Sequence, residues 1–205
     1  QILQCVEAAV NAESFDEGMA VERARFAECM SDPQREALIH IFFAERAANK
    51  IPGLSKDVPL LDINKGSVIG AGTMGGGIAM CFANAGIPVR VHDNDPENLA
   101  RGIKVIEGNY ARTVSKGRLT QEEMDKRMSL IIPTENFDDL GDGDIVVEAV
   151  YENLDLKKEI FARLDKVMKQ GALLATNTSG LDVDAIAGMT DRPEFVCGMH
   201  FFSPA

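Results

Sequence analysis

From residue 67 onward, short apolar runs recur along the chain, separated by longer stretches in which apolar positions return every three or four residues. The runs near 67–69, 89–92, 129–132, 145–149, 173–176 and 195–199 predict six strands. The stretches near 74–84, 96–116, 121–126 and 156–169 predict amphipathic helices between them. Two helix starts carry their own caps: Asp95 stands ahead of Pro96, and Thr120 with Glu123 has the capping-box spacing. Short strands alternating with helices are the pattern of βαβ units, so the expectation is an α/β fold with a doubly wound, mainly parallel sheet.

The first 50 residues follow a different period. Ser14-Phe15-Asp16-Glu17 is a second capping-box pattern, followed by Met19, Val21, Phe26 and Met30 at broadly helical spacing. Asp32 can cap another helix with Pro33 at its first position, and Ala37, Leu38, Ile41, Phe42 and Ala44 make one apolar face that needs something to pack on. Pro52, Gly53 and Pro59 interrupt any period between 51 and 65. The predicted organisation is a helical arm over 1–50, a linker over 51–65 and the α/β domain over 66–205.

Charge and composition narrow the functional classes. Of the 205 residues, 32 are acidic and 21 are Lys or Arg, a net charge of -11. This argues against nucleic acid as a partner, because counterion release needs a basic surface. No apolar run approaches the roughly 20 residues of a membrane span. The start, Gln1-Ile2-Leu3-Gln4-Cys5, has neither an initiator Met nor a signal-peptide pattern, and the chain reads as a piece of something longer. Cys5, Cys29, Cys81 and Cys197, like His40, His92 and His200, lack metal-ligand spacing, so no metal site is expected. The thiols read as small buried hydrophobes in a reducing compartment.

Directly after the first predicted strand comes Gly70-Ala71-Gly72-Thr73-Met74-Gly75, a G-x-G-x-x-G sequence at a strand-to-helix turn. Gly70 permits the tight turn, Gly72 lets a pyrophosphate approach the backbone, and Gly75 lets the helix lie close to the strand with its positive N-terminus facing the phosphates. An acidic chain can hold an anionic ligand in this way. The second strand ends at Asp93, near the offset of roughly 20 residues at which an acid bonds the adenosine ribose. A carboxylate there, with Asn94 and Asp95 following instead of Arg, favours NAD over NADP. Gly70, Gly72, Thr73, Met74, Gly75 and Asp93 are therefore candidate cofactor residues of a Rossmann domain. Asp95 reads as a helix cap, and His92 as a packed or solvent-facing side chain.

Three later strands end in polar groups: Val147-Glu148-Ala149-Val150-Tyr151-Glu152-Asn153, Asn177-Thr178-Ser179 and His200-Phe201-Phe202-Ser203-Pro204. The carboxyl ends of strands are where ligands collect in such sheets. In this order, after the glycine turn, these segments resemble the NAD-binding domain of the 3-hydroxyacyl-CoA dehydrogenase family, from about Lys65 to the end. The resemblance implies Glu148 and Lys158, or alternatively Lys157, near the nicotinamide end of NAD, with Asn177 among the cofactor contacts. It implies Ser179 at the substrate's 3-oxygen and His200 as the base that takes the hydroxyl proton. An imidazole is chemically suited to that exchange. The family usually has Asn where this chain has Ser203, and it orients its histidine with a glutamate beyond the position of Ala205.

The N-terminal part carries a second resemblance. Phe15-Asp16-Glu17-Gly18 and Ala37-Leu38-Ile39-His40-Ile41-Phe42-Phe43-Ala44-Glu45-Arg46 are similar to the end of the enoyl-CoA hydratase region and linker helix of multifunctional β-oxidation enzymes. The expectation is a multifunctional parent that oxidises (3S)-hydroxyacyl-CoA to 3-oxoacyl-CoA, in bacterial cytoplasm or in a eukaryotic peroxisome. The chain alone, cut before the C-terminal helical domain, is expected to bind NAD but to catalyse poorly. Two other readings stand beside this one: another Rossmann hydroxy-acid dehydrogenase, and a binding module that uses NAD as a signal. Acyl chain length and oligomeric state have no signal in the sequence.

Overall fold

Three helices make up the first part of the chain in the computed structural model, which describes residues 1–48, 50–55 and 57–202. They are α1 (Ile2–Asn11), α2 (Phe15–Ser31) and α3 (Gln34–Ala48). The Ser14 hydroxyl caps α2 by accepting the Glu17 N–H at 3.3 Å, whereas the Glu17 carboxylate reaches back to the N–H of Glu13 and not to that of Ser14. Asp32 accepts the Gln34 N–H at 2.8 Å, so the second predicted start is also found. None of the three helices buries a residue. The predicted apolar face of α3 is exposed, including Leu38, Ile41 and Phe42. The boundary between the chain's two compact units falls between Leu60 and Leu61, inside the predicted linker.

The second unit holds a six-stranded, wholly parallel sheet in the order β3-β2-β1-β4-β5-β6. Its strands are β1 (Gly66–Ile69), β2 (Val89–His92), β3 (Ile131–Thr134), β4 (Ile145–Glu148), β5 (Leu173–Thr176) and β6 (Val196–Gly198). Helices α4 (Thr73–Asn84), α5 (Pro96–Ser115), α6 (Gln121–Ser129), α7 (Leu154–Val167) and α8 (Val183–Ala187) connect them. Strand side chains alternate between faces. Val68, Val147 and Ala175 pack with Ile78, Ile106 and Tyr110 on one side, while Ile69, Val146 and Leu174 pack with Phe161, Leu164 and Ile186 on the other. Coverage on both faces is why the strands read as continuous apolar runs rather than alternating ones.

Several boundaries differ from the expected ones by one to three residues, and those around β3 and α7 have local reasons. Strand β3 begins two residues later than predicted, because α6, opened by the complete Thr120–Glu123 capping box, runs through Ser129. Pro133 is tolerated inside β3 because this strand is at the sheet edge, with β2 as its one neighbour. Helix α7 starts at Leu154, earlier than predicted, because the Asn153 side chain accepts the Leu156 N–H at 3.0 Å and serves as its cap. The short α8 and the 3-10 turn Phe137–Asp142 had no predicted counterpart.

Candidate functional site

The strand order reverses between β1 and β4, and the glycine turn lies at that point. Gly70 has φ of +99°, and a Cβ there would lie 2.7 Å from the Ala149 carbonyl oxygen, so both the turn and the closeness of the β4 loop require glycine. At Gly75 a Cβ would lie 1.8 Å from the Gly70 oxygen, which explains the close approach of α4 to β1. Gly72 differs from both. It caps α4 without a side chain, and a Cβ there would meet nothing within 4 Å. Space is kept open over the helix N-terminus, where backbone N–H groups and the helix dipole favour an anion. Thr73 is exposed in this first turn, and Met74 is half-buried.

Asp93 is tied into the turn. One carboxylate oxygen accepts the Ala71 N–H at 2.9 Å and the other the Asp95 N–H at 3.0 Å. Asp95 caps α5, accepting the Glu97 N–H at 2.9 Å. His92 is a packed residue, buried edge-on against Phe137, with its ring nitrogens 3.1 Å from the Thr134 carbonyl and the Asn94 side chain. A cavity of about 590 Å3 opens at the strand reversal, lined by Gly70, Gly72, Asp93, Phe137, Val150 and Arg163 among others. A second, of about 570 Å3, lies on the α4–α5 side and includes Gly72, Thr73, Asp93, Arg101 and Asn109. These are ligand-sized spaces. The open position over Gly72, between the helix terminus and the Asp93 carboxylate, fits a dinucleotide.

At the end of β4, Glu148 pairs with one of the two lysines that the sequence left open. Glu148 is fully buried and pairs with Lys157, whose Nζ stands 2.7 and 2.9 Å from the two carboxylate oxygens. The Val150 N–H and the Thr176 hydroxyl complete the bonding of Glu148, each at 2.7 Å. Lys158, the first choice from the sequence, is half-exposed and makes no such pair among the described residues. That Lys157 and not Lys158 makes this pair has a helical reason: Lys157 lies one turn from Phe161 and two from Leu164, on the stripe of α7 that faces the sheet. The pair sits beneath the site and lines neither cavity. Lys157 also reaches Glu152 at 3.5 Å.

At the ends of β5 and β6 the loops are fastened to each other. The Asn177 side-chain oxygen accepts the Phe201 N–H at 2.7 Å, and the Met199 N–H reaches the Thr176 carbonyl at 2.9 Å. Asn177 thus holds the loop that carries His200. The His200 imidazole is exposed, its ring 4.9 Å from that of Phe202, and Ser179 is exposed at the end of the neighbouring strand. Ser203 lies outside the described residues. Sequence reasoning passed over Glu152, which binds the Thr178–Ser179 turn, and Gly102, whose Cβ would lie 2.3 Å from the Ala71 oxygen. A glycine inside a helical pattern was the available signal for the latter. No cluster of three metal-ligating side chains forms among the described residues.

Residues 65–205 match the family model described as 3-hydroxyacyl-CoA dehydrogenase, NAD binding domain. The rice (Oryza sativa subsp. japonica) "peroxisomal fatty acid beta-oxidation multifunctional protein" is 40% identical over 190 residues, which is 92% of this chain and 26% of that protein. The chain thus spans about a quarter of the length of the curated relatives it matches. Among solved structures, 3-hydroxybutyryl-CoA dehydrogenase from Escherichia coli K12 superposes with TM-score 0.69 at 40% identity, covering 71% of this chain and 31% of that one. The dehydrogenase part of multifunctional enzyme 1 from C. elegans gives TM-score 0.67 at 34% identity, covering 76% and 36%.

Proposed function

The chain belongs to the 3-hydroxyacyl-CoA dehydrogenase family through its NAD-binding domain, and on that premise we propose that the enzyme carrying it oxidises (3S)-hydroxyacyl-CoA to 3-oxoacyl-CoA. The observation that carries the proposal is the Asn177–Phe201 bond, which fastens the turn bearing Ser179 to the loop bearing His200 at the ligand-binding edge of the sheet. The α4 N-terminus around Gly72 would hold the pyrophosphate, and the Asp93 carboxylate would accept from the adenosine ribose. Bound NAD supplies the hydride acceptor. His200 takes the hydroxyl proton, Ser179 contacts the 3-oxygen, and the buried Glu148–Lys157 pair fixes the β4 loop beneath them.

The rice relative is named multifunctional, and its 190 matched residues are too many to fall within 65–205 alone. This supports reading the first unit as the part that joins the dehydrogenase to an enoyl-CoA hydratase on one chain. For a eukaryotic source, the same relative's name supports the peroxisome as the compartment.

Substitution of His200 in the complete enzyme tests the chemistry. His200→Gln is expected to leave NAD affinity and folding unchanged while lowering turnover by roughly 10²–10⁴-fold, the usual loss when acid–base help is removed. A folded variant with near-normal turnover would overturn the assignment.

A further inference from the structure

Glu152 stands near the end of the loop that leads from β4 into α7, one residue before the Asn153 cap, and its carboxylate faces the end of the next strand. One oxygen, Oε1, accepts the Thr178 hydroxyl at 2.6 Å and the Ser179 N–H at 2.9 Å, with the Ser179 hydroxyl at 3.5 Å. The other oxygen, Oε2, is 3.5 Å from Lys157 Nζ. Thr178 is buried and in turn accepts the Leu181 N–H at 3.0 Å, so its hydroxyl is engaged on both sides. The result is a continuous chain of charged and hydrogen-bonded groups. It starts at Thr176 and runs through Glu148, Lys157 and Glu152 to Ser179.

The inner end of this chain is rigid, since Glu148 and Lys157 are 0% and 1% exposed, while the outer carboxylate is 42% exposed. Burial opposes ionisation of Glu152, but Thr178, the Ser179 N–H and Lys157 together hold its carboxyl below the ordinary value. Ser179 itself is exposed, and its N–H is held by the Glu152 carboxylate. From these contacts we infer that Glu152 is a positioning residue: it locks the Thr178–Ser179 turn to the buried Lys157 and so sets where the Ser179 hydroxyl meets the substrate. This rests on the functional reading above, in which Ser179 contacts the 3-oxygen. A displacement on the ångström scale at such a group costs on the order of 100-fold in rate.

The test is a double-mutant cycle in the complete enzyme, with NAD affinity measured separately and Ser179 amide exchange followed by NMR on the chain described here. Glu152→Ala is expected to lower kcat for hydroxyacyl-CoA oxidation by about 10- to 100-fold. It leaves NAD affinity within about threefold and adds less than about threefold when Ser179 is already alanine. Exchange at the Ser179 N–H accelerates in Glu152→Ala, and Glu152→Gln, which keeps an acceptor, restores most of the protection. Equal losses in both backgrounds, or a loss confined to NAD affinity, would overturn the inference. If the unsubstituted enzyme oxidises no hydroxyacyl-CoA, the functional reading fails by itself. The exchange measurement then still decides whether Glu152 holds the turn, and unchanged exchange in Glu152→Ala removes the inference.

Discussion

At Gly72 and Gly75 the same added carbon meets opposite surroundings, and the two glycines can be separated by experiment. A side chain at Gly72 enters open space over the α4 N-terminus, so Gly72→Val keeps the fold and lowers NAD affinity by about 100-fold or more. A Cβ at Gly75 would lie 1.8 Å from the Gly70 carbonyl oxygen, so Gly75→Ala disrupts the turn and lowers stability before affinity is in question. Calorimetry with NAD beside thermal melts checks both, and a folded Gly72→Val protein with unchanged affinity would remove the pyrophosphate assignment. Asp93 has a structural role beside its proposed one toward the ribose. Because it holds the Ala71 and Asp95 N–H groups, Asp93→Ala costs roughly 1 kcal/mol of stability as well as narrowing the preference for NAD over NADP. Urea midpoints and affinities for both dinucleotides measure the two effects separately.

Helix α7 is closed by a side chain from far along the chain. Arg192, nearly buried, pairs with Asp165 at 2.7 Å and donates to the carbonyls of Met168 and Lys169 at 3.0 and 2.8 Å. Arg192→Met leaves the Met168 carbonyl without a donor, the Lys169 carbonyl with only the Ala172 N–H and the Asp165 carboxylate with only the Asp191 N–H, and is expected to cost about 2–4 kcal/mol, read as a lower urea midpoint at unchanged slope. No local pattern announces such a long-range cap, whereas short-range caps such as Asp95 and Thr120 were readable because their partners lie within three residues. The same division explains the rest of what the sequence revealed. The six strands, the glycine turn and the Asp93 offset follow from local periodicity and spacing. The choice between Lys157 and Lys158 depended on which face of α7 meets the sheet, and the Phe161 and Leu164 stripe was the available signal. The role of Glu152 needed the pairing of β4 with β5, which brings two loops together that lie 26 residues apart.

Across the whole molecule, the shifted ionisable groups give a stability profile with two limbs. On the acid side, Lys65 and Arg90 hold Asp142 below its ordinary value, and Lys169 with the Asn64 and Lys65 N–H groups does the same for Asp144. For Asp165 and Glu152, burial opposes ionisation, but Arg192 for the one and the Thr178–Ser179 turn with Lys157 for the other still bring the net shift downward. A depressed carboxyl binds fewer protons folded than unfolded, so its stabilisation is present above the unfolded value near 4 and is lost as pH falls through the folded one. On the basic side, burial raises the Tyr110 hydroxyl and the Cys197 thiol above their ordinary values of 10.0 and 9.0. The folded state there favours the neutral form, so that contribution holds below the unfolded values and is lost as pH rises through the folded ones. The expected profile is level from about pH 5 to 8, falling below roughly pH 4 and above roughly pH 9. Asp142 is exposed, and the lysines paired with Asp142 and Asp144, Lys65 and Lys169, are about half exposed, so salt screens these pairs and raising the ionic strength makes the acid limb shallower while the basic limb, set by burial, changes little. Urea midpoints between pH 3 and 10 at two salt concentrations give the measurement. An acid limb unaffected by salt, or a midpoint constant across that range, would contradict the groups assigned to it.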